Sequence, residues 1–370
     1  MEPDSSALRA LFYGLGVHSS FFGATFCGVK EIGRGSEQIL EFSGRVHSRN
    51  DTIAMTTEKL CSTYNRGRFA PSTTGRAHPG TLLAALLCWL DARHIGAEVI
   101  LRLEDLDRER TKPGYVDHLE RDLAWFGLDW NARTLQSDAR ERHGQALDRL
   151  VREGRVYGCD CSRATVRAVG RPAPDGSHAY AGTCRAQRVR VDGWRDDPRP
   201  LRLHLDSRMI ELHDESGEDL SGNAAELFGD PILRRRDGVF AYHFASVLDD
   251  ASAGVDRVVR GRDLAPSTIL QVALQQTLGL ATPRYRHHCL FLERRGDKLS
   301  KLHGAVDVEA LRTRYSGEEL CGALASFVGL VSPGTICRPL DLVADFDWAR
   351  VCRGDVELRI RENGGLSLAG

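Results

Sequence analysis

Apolar and polar positions follow more than one rhythm along this chain. From Arg66 to Pro71, and again over EVILRLED (98–105), short apolar runs bounded by polar residues have the length and branching of buried strands. Between them TLLAALLCWL, residues 81–90, is apolar at nearly every position and follows a His-Pro-Gly turn, which predicts a buried helix from about Gly80 to Ile95. A second helix is predicted from about Pro113 to Phe126. Strand, helix and strand in this order predict a parallel sheet with right-handed crossovers. Ligands of such sheets bind at the carboxyl ends of the strands. Arg68–Ser72 and Glu104–Asp107 lie at or near two such ends, so the two segments are expected to share a site.

Residues 1–54 sustain neither rhythm and mix Gly, Ser and charge, which predicts a poorly structured extension; Met55, one of three methionines, offers an alternative start of translation. Residues 55–150 read as the first half of a nucleotide-binding domain, 151–228 as an insertion and 229–305 as the second half. In the second half two strand-like runs flank a turn at Asp237-Gly238, the second being FAYHFASVL, and VDRVV returns to the parallel sheet just before Arg260. CLFLERRGDKLSKLHGA then closes the domain with a strand, a turn and a pair of lysines, and residues 306–370 begin helically and become irregular.

Composition narrows the class. The 370 residues hold 50 basic and 51 acidic side chains, a formal charge of −1, so no global field marks a nucleic-acid binder, although a local basic face would be enough. The longest apolar run, residues 81–90, falls short of the ~18 needed to span a bilayer, and the acidic N-terminus lacks the basic start of a secretory signal, so a cytoplasmic protein is expected. The ten cysteines are mostly isolated, which favours free thiols and a metal site over a disulfide framework. Cys159, Cys161 and Cys184 surround a Gly- and Pro-containing loop with a spacing that suits one tetrahedral zinc per chain; His178 and Tyr180 are both placed to be its fourth ligand. Only five of the basic residues are lysine, and two of those, Lys298 and Lys301, share the stretch KLSKL.

Taken together, RFAPSTTGRAHPGTL, ILRLEDLDRER, AYHFASVLDD, VVRGRDL and DKLSK stand in the order found in class I glutamyl-tRNA synthetases, and the resemblance spans roughly residues 66–305. It implies an α/β fold: a Rossmann-like, parallel-sheet class I catalytic domain with a zinc-containing insertion and a short helical C-terminal segment. The 68 residues after Leu302 leave no room for the helical anticodon-binding domain of the full-length enzymes. That shortness, the Cys-x-Cys…Tyr-x-x-x-Cys pattern at 159, 161, 180 and 184, and KLSK in place of KMSK resemble a short branch of the family that glutamylates queuosine at the wobble position of tRNA(Asp).

The resemblance implies ATP-dependent activation of L-glutamate without tRNA, followed by transfer to the cyclopentenediol of queuosine. Its alternatives are a truncated synthetase charging the tRNA 3′ end, or an inactive zinc-containing RNA-binding module. His78 and Gly80 stand for the HIGH element and would hold ATP with Lys301, while Lys298 and Lys301 would neutralise charge on the leaving pyrophosphate. Glutamate would be held by Arg68, Phe69, Ala70, Pro71, Ser72, Glu104, Tyr242 and Arg260, with Glu104 taking the ammonium and Arg68 or Arg260 gripping a carboxylate bidentately. Mg²⁺ is expected with ATP, the queuosine-bearing anticodon stem-loop is the expected RNA partner, and a monomer is expected. Thr73 departs from the proline usual in this loop, a change expected to loosen it, and Leu302 ends the lysine motif where serine is common.

Overall fold

The computed structural model describes residues 65–107, 109–112, 114–292, 307–361 and 365–368, together with the backbone of three strands before them. Those three, Ala24–Ile32, Ile39–His47 and Thr52–Ala54, form an antiparallel sheet in a stretch where the sequence shows no sustained alternation. They belong to a compact unit of residues 1–63; the rest of the chain forms a second unit.

In the second unit, Arg66–Phe69, Glu98–Leu103 and Ala132–Leu135 make a parallel ladder with Glu98–Leu103 at its centre. Arg257–Gly261 and Arg284–His288 make a second parallel pair. The two are set edge to edge, because the Asp256 backbone N–H donates to the Arg66 carbonyl at 3.2 Å. Asp256 also accepts through its carboxylate from the backbone N–H groups of Asn65 and Arg66, at 2.9 and 3.2 Å. Strand order therefore reverses between Arg66–Phe69 and Arg257–Gly261, the place where doubly wound sheets open a crevice for ligands.

The helix Pro79–His94 matches the expected one to within a residue at each end. It is buried nearly all round, with Leu82, Leu83, Leu86, Leu87 and Leu90 at 0–1% exposure. Each buried leucine contributes about 1.5–3 kcal/mol by leaving water. Its one buried acid, Asp91, is gripped by Arg257 Nε and Nη2 at 2.7 and 2.9 Å, which pins this helix to the reversing strand. Tyr115–Phe126 follows as the second helix, starting two residues after the expected position.

Two expectations are corrected. FAYHFASVL is not a strand: Phe240 alone bridges to Arg234, and Tyr242–Ser252 is a helix. Phe244, Ala245, Val247 and Leu248 are spaced to line a helical face against the insertion and the helix Ala265–Leu278, and they lie in that core. The C-terminal segment is not helical throughout. After the helices Val308–Arg312 and Gly317–Phe327 it ends in strands Val356–Ile360 and Leu366–Leu368, the first of which runs parallel to Phe291–Leu292. Leu311, Leu320, Leu324 and Leu358 pack into the same core as Leu86 and Leu101, so this segment is part of the first half of the domain. No helix among the described residues is long and apolar enough to cross a membrane.

Candidate active site and thiolate cluster

The crevice gathers side chains from three strand ends and one helix start. Arg68 comes from Arg66–Phe69, Glu104 follows Glu98–Leu103, Arg260 ends Arg257–Gly261 and Tyr242 opens the helix Tyr242–Ser252. Their charges act on one another. Burial pushes the Tyr242 phenol up and the Glu104 charge adds to this, while Arg260, Arg68 and Arg102 oppose it. Burial likewise raises the Glu104 carboxyl, against the pull of Arg102 and Arg68.

Sequence reasoning missed Arg102 and Asp250, which hold this group together. Asp250 Oδ1 binds the Arg102 guanidinium and lies 3.3 Å from Arg68 Nε. Arg102 Nη2 also reaches Glu104 Oε1 and Ser246 Oγ, both at 3.2 Å. Burial raises the Asp250 carboxyl, but Arg102 and Arg68 outweigh it and hold the group below its ordinary value. The signal was present in the sequence: two consecutive acids end an apolar run in AYHFASVLDD, and an arginine sits inside the buried strand VILRL. The other acid, Asp249, accepts from Gln136 Nε2 at 2.8 Å and Arg142 Nη2 at 2.9 Å and meets His143 Nε2 at 2.7 Å, fixing the same helix to its other neighbours.

Arg260 is more constrained than a bidentate clamp. Its Nε donates to His287 Nε2 at 3.0 Å, Nη1 to Gln271 Oε1 at 2.7 Å, and Nη2 to Thr268 Oγ1 at 2.9 Å and the Leu264 carbonyl at 3.4 Å. A guanidinium has five N–H groups, so one remains for a ligand, on Nη1. Arg68, in contrast, spends Nη1 on the Val259 carbonyl at 3.3 Å and directs only Nε at Asp250, so it is the better carboxylate fork. His287 Nδ1 lies 3.0 Å from Asp214 Oδ1, which holds the ring with its proton on Nδ1 and Nε2 free to accept from Arg260.

The loop after Arg68 is stitched to Glu104. Glu104 N donates to the Pro71 carbonyl at 3.0 Å, and Thr73 donates to the Glu104 carbonyl from both its N–H at 3.2 Å and its hydroxyl at 3.1 Å. Thr73 therefore tightens the loop, contrary to the expectation, through an N–H that proline would lack. Phe69 and Ala70 are half-buried, Pro71 is buried and Ser72 is exposed with its hydroxyl 3.0 Å from that of Thr74. His78 precedes the first helical turn, and its backbone N–H donates to Thr81 Oγ1 at 3.4 Å. A Cβ on Gly80 would stand 3.0 Å from His78 Cε1, so the glycine also makes room for the imidazole. Lys298 and Lys301 lie outside the described residues.

A second cluster lies in the insertion. The sulfurs of Cys159, Cys161 and Cys184 all fall within 4.8 Å of one another. Tyr180 Oη sits 3.4 Å from Cys159 Sγ and 3.6 Å from Cys161 Sγ and accepts from the Cys184 backbone N–H at 3.0 Å. His178 is not part of the group. Three thiols and a phenol converging on one point are a donor set that could hold a metal ion. Gly229 makes the arrangement possible: its φ is +67°, and a Cβ there would lie 2.1 Å from the Tyr180 carbonyl oxygen.

Comparison with known proteins agrees with this geometry. Residues 65–330 match the catalytic domain of class I tRNA synthetases (E and Q). A glutamyl-Q tRNA(Asp) synthetase of Symbiobacterium thermophilum is 39% identical over 319 residues, covering 81% of this chain and 98% of its own. One from Nocardia farcinica is 41% identical over 296 residues, covering 78% and 91%. Among solved structures, a glutamate tRNA ligase from Elizabethkingia meningosepticum in complex with its amino acid superposes with a TM-score of 0.66 at 25% identity, over 80% of this chain and 67% of that one. The chain thus belongs to the class I glutamyl- and glutaminyl-tRNA synthetase family of ATP-dependent ligases, and within it to the glutamyl-Q tRNA(Asp) synthetases.

Proposed function

We propose that the protein activates L-glutamate with ATP, without RNA, and transfers it to the cyclopentenediol of queuosine at the wobble position of tRNA(Asp). The observation that carries the first step is the buried charge set of the crevice: guanidiniums of Arg68, Arg102 and Arg260 against carboxylates of Glu104 and Asp250. That set has one unbalanced positive charge, and glutamate, with two carboxylates and one ammonium, supplies one unbalanced negative charge. Glutamine would leave the excess uncompensated in a site where charge is costly. Glu104 receives the ammonium, Arg68 a carboxylate, and Tyr242 with the remaining Nη1 proton of Arg260 completes the enclosure. Phe69, Ala70, Pro71 and Ser72 form the wall beside them.

In activation a carboxylate oxygen of glutamate attacks the α-phosphorus of ATP, the bond to the bridging oxygen breaks, and pyrophosphate leaves. His78 and the backbone at Gly80, at the start of a long helix, hold phosphate oxygens; Lys298 and Lys301 offset the charge that builds on the leaving group. Mg²⁺ accompanies ATP. In transfer a queuosine hydroxyl attacks the acyl carbon and AMP departs. Cys159, Cys161, Cys184 and Tyr180 would hold a zinc ion, which would close the insertion loop as a structural site.

The test is the position of the label. Queuosine-containing tRNA(Asp) stripped of its 3′ CCA end should accept radiolabelled glutamate, and the same tRNA with guanosine at the wobble position should accept none. Label on the 3′ adenosine of intact tRNA, or none on the trimmed queuosine tRNA, would identify a 3′-end synthetase instead.

A further inference from the structure

The arginines that crowd the sequence after the thiolate loop are mostly spoken for. Arg185 is paired with buried Asp230 at 2.6 Å, Arg195 with Asp148 at 2.7 Å and Arg199 with Asp197 at 2.7 Å. Arg202 donates to the Asp230 carbonyl at 2.7 Å and stacks 3.8 Å from the centre of the Tyr180 ring. A different set is available. Arg163, Arg167 and Arg236 line an open cleft of about 930 Å³ beside the already engaged Arg202 and Arg235, with Asp237 as the one acidic residue of its lining.

Arg163 and Arg167 stand one turn apart on the helix Arg163–Val169, and Arg236 lies in a turn that lines the same cleft. All three are exposed, and no carboxylate among the described residues pairs with any of them. On a protein with a formal charge of −1, this concave surface is a local concentration of positive charge, and concavity focuses such a field. The lining joins two places already described. Cys159 and Cys161 of the cysteine cluster belong to it, and so does Arg235, which joins Asp237 at 2.6 Å and approaches Asp107 at 3.8 Å, three residues beyond Glu104 of the crevice.

We propose that this cleft holds the phosphate backbone of the RNA substrate and leads its acceptor nucleotide toward the activated glutamate. This rests on the reading of RNA as the acceptor. A run of phosphates suits several guanidiniums spread along a groove, whereas ATP has its own place at the Gly80 loop. The contacts are electrostatic and carry no base information, which lies with the nucleotide that enters the crevice.

The test measures affinity across a salt series, using zinc-loaded full-length protein and a fluorescent tRNA(Asp) anticodon stem-loop with queuosine or guanosine at the wobble position. Two variants probe different elements of the lining, Arg163→Ala/Arg167→Ala on the helix and Arg236→Ala on the turn. The slope of log affinity against log salt should fall by about 0.7 for each lost contact, about 1.4 for the pair. Affinity should drop by at least about tenfold for the pair, and to the same degree for both RNAs.

Unchanged affinity and slope in variants that keep the wild-type melting midpoint and metal content would overturn the proposal. So would a loss confined to the queuosine RNA, because that pattern belongs to base recognition. If the helix variant loses its metal, Arg236→Ala decides, as it lies outside the thiolate loop. Failure of wild type to bind either RNA overturns the cleft as well. Glutamate-dependent ATP–pyrophosphate exchange persisting in that same preparation would then show that the activation half of the functional reading stands alone.

Discussion

Arg260 shows how the meaning of a functional arginine is set by what surrounds it. Four of its five N–H groups are directed at protein acceptors, so its orientation is fixed before any ligand arrives. His287 is the acceptor for Nε, and it can accept only while Asp214 keeps the ring proton on Nδ1. Burial lowers the His287 pKa and the Arg260 charge adds to that; the Asp214 hydrogen bond opposes it, and the net shift is downward, which keeps the ring neutral and accepting. His287→Leu removes the acceptor and frees the guanidinium to rotate. The glutamate KM in ATP–pyrophosphate exchange should rise about tenfold, the equivalent of ~1.4 kcal/mol, with the ATP KM unmoved. His287→Gln, whose Oε1 can replace Nε2, should keep most of the affinity. A glutamate KM in a folded His287→Leu protein equal to wild type would show that Gln271 and Thr268 suffice.

At the scale of elements, the sequence was legible wherever period and length agreed. The run at 81–90 could only be a buried helix, and VILRL between two turns could only be a buried strand. FAYHFASVL failed because its aromatic and β-branched content favours a strand while its burial is helical: Phe244, Val247 and Leu248 face one core only at a 3.6-residue period. The motifs located Arg68, Glu104, Tyr242 and Arg260, whereas Asp250 and Arg102 needed the three-dimensional contact, since they lie 148 residues apart. The thiolate loop was legible from its cysteines, but its dependence on Gly229 was not. Strain from a side chain at φ +67°, together with the close approach to Tyr180, should cost Gly229→Ala about 1–3 kcal/mol. Metal analysis should find about one zinc per wild-type chain, none in Cys184→Ala, and weakened retention in Gly229→Ala with a lower melting midpoint. Wild-type melting and metal content in Gly229→Ala would mean that the loop closes without this contact.

At the scale of the whole molecule, the proposed activation and the proposed RNA recognition draw on different charge. The crevice guanidiniums are buried and engaged with Asp250, Val259, Gln271 and Thr268, whereas the cleft guanidiniums of Arg163, Arg167 and Arg236 are exposed. Of the groups proposed to hold glutamate, Arg68, Glu104 and Arg260 already have protein partners, and such preorganisation is what electrostatic catalysis needs. The groups proposed for the site all lie at Arg68 or beyond. Glutamate-dependent ATP–pyrophosphate exchange should therefore proceed with no RNA present. Deletion of residues 1–54 should leave its rate within about twofold of the intact chain, the effect expected when ~0.5 kcal/mol or less is at stake. Two results would count against this account. Exchange that appears only on adding tRNA would mean that the crevice is assembled by the RNA. A collapse of exchange on deletion, with melting showing a folded remainder, would give the N-terminal sheet a part in activation.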